Sequence, residues 1–179
     1  MTLTLLIDLD DTLIANSMDT FIPAYLGALG EYLAGQTPPD KMVSTMMAAT
    51  QVMFANQQID RTLEATFDPA FYPPQGLVKA DLIDLFNGFY EQVFPTLQGL
   101  TTYLPEAVQF IDAAFERGYR IAIATNPLFP LTAIEQRLDW AGLSPEKYPF
   151  ALVPSYESFH YAKPNPAYFA EFLGRMGWP

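Results

Sequence analysis

Leu5-Leu6-Ile7-Asp8-Leu9-Asp10-Asp11-Thr12-Leu13 is the stretch on which the rest of the chain turns. Its apolar half reads as a strand covered on both faces and central in a parallel sheet, where hydrophobic runs are continuous rather than alternating. Acids follow at once. Desolvating carboxylates at the end of such a strand is costly unless a cation, hydrogen-bond donors or protonation compensates, so their placement points to a site. An isolated Asp-x-Asp usually lies in a solvated turn or caps a helix, and Asp11 reads that way. Asp8 and Asp10, ending an apolar run, read as functional groups.

Composition narrows the possible partners. The chain has 179 residues, is 50% hydrophobic, and carries a formal net charge of -11. That length suffices for one core, or for a small core carrying an inserted domain. Nucleic-acid binders present a basic stripe that releases counterions, and none is visible here. There is no Lys/Arg-rich amphipathic stretch for a membrane surface, and no apolar run near the roughly 18 to 20 residues that span a bilayer. No basic residue precedes the first apolar run, so it does not read as a secretory signal. The absence of Cys excludes disulfides, thiolate metal sites and Cys nucleophiles, and a cytoplasmic location is expected. His160 is the single histidine, which excludes a His-based metal cluster; it reads as a structural or surface residue. An anionic ligand must therefore be held locally, by a metal, one Lys and backbone N–H groups, against an unfavourable overall field.

Working outward from Leu13, the periodicity predicts four helices in succession. The first runs from Ser17 or Asp19 to about Gly35, and the second from Pro39 to about Asn56. Asp60 opens a short third one that breaks at Asp68-Pro69, and Leu82, Leu85, Phe86, Phe89 and Val93 mark a fourth that closes at Pro95. The methionines and aromatics in this stretch keep helical spacing, so core packing is expected rather than a lipophilic pocket. Its basic residues Lys41, Arg61 and Lys79 are scattered, and none is assigned to substrate.

From Thr101 the rhythm changes to alternation. A helix starts at Pro105-Glu106 and ends at Gly118, a strand follows at Tyr119 to Ala124, another helix spans Pro130 to Trp140, and a short strand covers Phe150 to Val153. Pro166 begins a last helix. This alternation predicts an α/β fold with a Rossmann-like parallel sheet core and an inserted all-helical cap domain. The predicted boundaries are 1–15 and 96–179 for the discontinuous core and 16–95 for the cap.

Ligands of such sheets bind beyond the carboxyl ends of the strands. The first strand delivers Asp8, Asp10 and Asp11 there, the second ends in Thr125-Asn126-Pro127, and Lys163-Pro164 precedes the last helix. Carboxylates, a hydroxyl, backbone N–H groups and one ammonium suit phosphate transfer. A divalent cation would cancel repulsion between the acids and a phosphate dianion, and hard oxygen ligands favour magnesium.

Over almost its whole length the chain resembles the haloacid dehalogenase superfamily, in the phosphatase branch with a helical cap inserted after the first motif. Asp8-Leu9-Asp10-Asp11-Thr12-Leu13 is similar to that family's first motif, Thr125 to its second and Lys163-Pro164 to its third. The resemblance implies that Asp8 is the nucleophile forming an aspartyl-phosphate and that Asp10 is the acid and base. It also implies that Thr125, Asn126 and Lys163 hold the phosphoryl oxygens. Mg2+ would be bound by the Asp8 carboxylate and the Asp10 main-chain carbonyl. The family's fourth motif, a Gly-Asp with further acids after another strand, has no counterpart before Pro179. The strand carrying it would lie beside the first one, so the reading expects a shortened form of a longer protein. The function expected is a magnesium-dependent phosphatase acting on a small phosphorylated metabolite, as a monomer or homodimer. The alternatives are a phosphomutase of the same superfamily and a non-catalytic binding or regulatory protein.

Overall fold

A computed structural model describes residues 3–178; residues 1, 2 and 179, at the outer limits of the expected core segments, lie outside the described residues. Strand β1 (Thr4–Ile7) ends one residue before Asp8. The chain then turns tightly, the Leu9 carbonyl accepting from the N–H groups of Thr12, Leu13 and Ile14. Asp11 adopts the left-handed region at φ 52°, which short polar side chains tolerate. Strand β2 (Ile14–Ala15) leads into α1 (Met18–Tyr32), α2 (Pro39–Phe54), α3 (Leu63–Phe71) and α4 (Ile83–Gln92), with tight helical turns between Pro73 and Leu100. Strand β3 (Thr102–Tyr103) brings the chain back antiparallel to β2, Ile14 opposite Tyr103 and Ala15 opposite Thr102. The helical stretch therefore leaves and returns through one two-residue ribbon. Two-residue strands have no periodicity to read, which is why the sequence did not announce them.

The remainder alternates as expected: α5 (Pro105–Glu116), β4 (Arg120–Ile123), α6 (Leu131–Trp140) and α7 (Pro166–Arg175). Gly118 and Gly142 end α5 and α6 at φ 73° and 74°, the left-handed cap that glycine adopts without strain. β1 and β4 pair in parallel, Thr4 opposite Arg120 through Ile7 opposite Ile123. The fold is mixed α/β with a small parallel sheet.

Three expectations need correction. The strand covered on both faces is β4, whose Ile121, Ala122 and Ile123 are fully buried. β1 has β4 as its one strand partner among the described residues, and Leu6 is 37% exposed. The predicted strand over 150–153 does not form a regular ladder. Ala151 N–H donates to Ile121 O, but Ile123 N–H donates to Leu152 O, one residue beyond the Ala151 carbonyl that a regular parallel pairing would use. The segment lies beside β4 as an irregular extension. Third, α3 does not break at Asp68-Pro69. It starts later, at the Thr62 cap whose hydroxyl accepts from Ala65 N–H, and runs through Pro69 to Phe71. Stacking of Phe67 on Phe71, with centroids 4.9 Å apart, and the Tyr72 N–H bond to Asp68 O hold that last turn despite the missing donor.

One continuous buried cluster joins the helical stretch to the α/β part. Phe94 stacks on Trp140 of α6 at 5.2 Å, and Phe21 and Tyr25 meet Phe94 edge-on. Each such ring, fully buried, contributes about 1.5 to 3 kcal/mol of transfer energy. Backbone bonds add to the joint: Leu63 N–H donates to Phe159 O and Glu64 N–H to Tyr156 O, seating the start of α3 on the loop before α7. No helix among the described residues is long and apolar enough to cross a membrane.

Candidate functional site

Asp8 stands where β1 gives way to the turn. Its Oδ1 accepts from the Leu9 N–H at 2.8 Å, and its Oδ2 lies 3.1 Å from Lys163 Nζ. Lys163 is itself located by its N–H, which donates to Asn126 Oδ1 at 3.1 Å. Thr125, two residues beyond β4, is buried, and its carbonyl accepts from the Tyr168 hydroxyl of α7 at 2.8 Å. Burial, reinforced by the Asp8 and Glu171 charges, pushes the Tyr168 hydroxyl far above its ordinary pKa, so it stays a donor. Two strand ends and one helix-entry loop thus bring Asp8, Thr125, Asn126 and Lys163 together.

Asp10 faces a different partner. Its Oδ1 accepts from Arg137 Nη1 at 2.8 Å and from Asn16 Nδ2 at 2.8 Å, and its Oδ2 from the same Nη1 at 3.0 Å. Arg137 is 1% exposed, with its guanidinium 4.7 Å from the Phe129 ring centroid. Its Nε and Nη2, and Asn16 Oδ1, are buried without a protein partner. A buried arginine with one acid for a partner is a high-stakes arrangement, because removing either member strands the other. Sequence reasoning missed both Arg137 and Asn16. A signal existed for the first: Arg137 falls on the apolar stripe of α6 with Ala133, Ile134 and Leu138, and a cation on a buried stripe demands a buried acid. Asn16 carried no such signal.

Asp11 accepts the Asn16 N–H on Oδ1 at 2.9 Å, a bond that closes the turn. His160 pairs with Glu171 at 2.8 Å, and its carbonyl accepts from Asn56 Nδ2; it does not line the cleft described next.

Asp8, Asp10, Thr125, Asn126 and Lys163, with Arg137, share the floor of a single cleft of about 960 Å³. Its walls come from α1 to α4 and from the segments at 128–132 and 156–157. Of the cations in the helical stretch, Lys79 lies on these walls, and it is bonded to Glu64 at 2.6 Å and to Asp68 at 2.8 Å. Burial works against the Lys79 charge, but the two carboxylates outweigh it and hold the ammonium above its ordinary pKa. The methionines of α2 divide. Met42, Met46 and Met53 are buried in the core as the spacing predicts, though Met46 and Met53 also border the cleft, beside the exposed Met47 and Phe54.

Magnesium keeps several waters and needs only one or two carboxylates beside its substrate's phosphate oxygens. The half-buried Asp8 carboxylate, open to the cleft and made of hard oxygens, meets that minimum. No cluster of three or more His, Asp or Glu side chains disposed around a metal occurs among the described residues.

No family model matches the sequence, and no curated protein matches it. Among solved structures, the chain is similar to a crystal structure from Bacteroides fragilis assigned to the haloacid dehalogenase-like hydrolases. The TM-score is 0.51 at 17% identity, covering 100% of this chain and 75% of that one. The fold is accordingly haloacid dehalogenase-like.

Proposed function

We propose that this haloacid dehalogenase-like fold carries a phosphomonoester hydrolase with Asp8 as nucleophile. The observation that carries the reading is the Asp8 carboxylate at the cleft floor, 3.1 Å from the Lys163 ammonium and beside the Thr125-Asn126 turn. An ammonium at that distance offsets the repulsion that a carboxylate and a phosphate dianion would otherwise feel, an interaction that strengthens away from water. Lys163, Thr125 and the Asn126 backbone would hold the phosphoryl oxygens. An Asp8 oxygen bonds to phosphorus while the ester P–O bond breaks, and the leaving oxygen takes a proton from Asp10, which as a carboxylate paired to Arg137 must first take up that proton from solvent. Asp10 then takes a proton from a water, whose oxygen attacks phosphorus, releasing inorganic phosphate and freeing Asp8. Arg137 and Asn16 position Asp10 for both transfers. Magnesium, held by the Asp8 carboxylate and the Asp10 main-chain carbonyl, would neutralise phosphate charge. The helical segment 16–95 would serve as the cap that excludes bulk water and selects the leaving group.

The test is phosphate release from an aryl phosphate with magnesium. Turnover that Asp8→Asn abolishes is expected, together with beryllium fluoride uptake that the same substitution prevents. A chain that neither releases phosphate nor takes up beryllium fluoride at Asp8 refutes the reading.

A further inference from the structure

We infer that the ester taken by this cleft has a long, uncharged, apolar alcohol as its leaving group; this rests on the phosphatase reading of Asp8. The first observation is size. A phosphoryl group needs only the floor, yet the cleft measures about 960 Å³, near the upper end of the roughly 300 to 1,000 Å³ of small-molecule sites. The second is what the walls are made of. Met47 of α2 is 56% exposed, Ile83 of α4 48% and Phe54 of α2 36%, and all three line the cleft. Residues this exposed are not required by the core; they make an apolar wall that a ligand can cover. Met46 and Met53 adjoin them, and unbranched thioethers adapt to chains of variable shape.

The third observation concerns charge. A leaving group with a second phosphate or a carboxylate would need a cation on the walls. The one in the cap region, Lys79, already has two carboxylates, and Arg137 on the floor is committed to Asp10. Glu157 also faces the cleft and would repel a further anion. A sugar would need a polar partner for nearly every hydroxyl, since a site is penalised for each unpaired group. Of the wall groups, Thr50 donates to Met46 O and Tyr90 is bonded to Tyr25, which leaves the Tyr72, Thr132 and Tyr156 hydroxyls and the Gln51 and Asn87 amides as the polar groups a ligand could meet. A nucleotide or bisphosphate thus lacks an uncommitted counter-charge on these walls, while an alkyl chain finds apolar partners along α1, α2 and α4.

The experiment uses the full chain with magnesium and n-alkyl phosphates from ethyl to decyl, below their micellar concentrations, beside a hexose phosphate. The expected kcat/KM rises about fourfold per buried methylene until the cleft is filled. The hexose phosphate is expected to be about 10²-fold poorer than octyl phosphate, the scale on which sites reject a mismatched polar group. Met47→Glu and Ile83→Glu, at exposed positions where folding is not at risk, are expected to flatten the rise. Hydrolysis that is independent of chain length, or fastest with the hexose phosphate, overturns the inference and leaves the phosphatase reading standing. If no ester is hydrolysed and beryllium fluoride is not taken up at Asp8, the phosphatase reading fails, and calorimetry with non-hydrolysable alkylphosphonates decides the inference. Affinity rising with chain length upholds the apolar class; affinity that does not rise overturns it.

Discussion

The floor of the cleft and its walls are built on opposite plans. The floor is a meeting of short segments far apart in the chain, each ending a strand or opening a helix, and its polar groups are paired one by one: Asp8 with Lys163, Asp10 with Arg137, Asn126 with the Lys163 N–H. The walls are consecutive helices whose side chains pack by area rather than by pairing. Phe67, Phe71, Tyr72 and Phe86 form one aromatic group in which no single contact decides the geometry. On the proposed reading, chemistry would depend on the floor through orientation, while stability depends on the walls through volume. The two can be separated by substitution.

The largest effect should come from the walls. Phe71→Ala removes a fully buried ring that does not line the cleft, and should destabilise by about 3 to 5 kcal/mol in urea unfolding, leaving the kcat of the folded fraction unchanged. A fall in kcat at full folding would show that the walls orient the floor. The floor should answer in the opposite way. Lys163→Ala is predicted to cut kcat/KM for a phosphomonoester by about 10²- to 10³-fold, as the loss of one charge-stabilising donor does elsewhere. Its unfolding midpoint should hardly move, because the ammonium is partly exposed and such pairs contribute little to stability.

Arg137 crosses the division and sharpens it. Arg137→Met strands the Asp10 carboxylate, and because Asp10 keeps some exposure the cost should be about 2 to 3 kcal/mol, below the range for fully buried pairs. If Arg137 only holds the fold together, activity per folded molecule is preserved. If it positions Asp10, kcat falls by about 10²-fold with KM nearly constant, the signature of an interaction used in proton transfer.

What was legible in the sequence follows the same line. Asp8 and Asp10 stood out because they end an apolar run, Thr125 and Asn126 because they follow the second strand, and Lys163 because it precedes the last helix in the expected order. The structure gathers all five on one floor. The helices were legible from their period, and the position of Gly118 from its place after α5. Pairing was not legible. The Arg137 partnership joins residues 127 positions apart, and the slip at Ala151-Leu152 depends on backbone geometry that composition does not encode. Leu5-Leu6-Ile7 is as apolar as Ile121-Ala122-Ile123, yet β1 has one strand neighbour among the described residues, the open edge expected where the strand of a fourth motif has no counterpart. Which methionines face the cleft was likewise hidden, since α2 is apolar on both its core side and its cleft side.

The smallest predicted effect tests the walls by pH. Tyr25 of α1 lies at the cleft with its hydroxyl 3.0 Å from that of Tyr90. Burial pushes the Tyr25 pKa up to about 12, with the Tyr90 bond and the Arg137 charge pulling partly back. Its unfolded value is near 10, so the folded protein holds the proton more tightly. The associated stability is complete below pH 10 and is lost as pH climbs from 10 towards 12, at about 1.4 kcal/mol per pH unit for one such group. Because a chain of net charge -11 also suffers general repulsion in alkali, the informative quantity is the difference between wild type and Tyr25→Phe. Tyr25→Phe should cost roughly 1 kcal/mol at pH 8 by leaving the Tyr90 hydroxyl unpaired, and its urea midpoint should then fall less steeply above pH 10 than that of wild type. Parallel slopes would mean that the Tyr25 hydroxyl reaches water through the cleft, and that the wall between α1 and α4 is open where the packing places it closed.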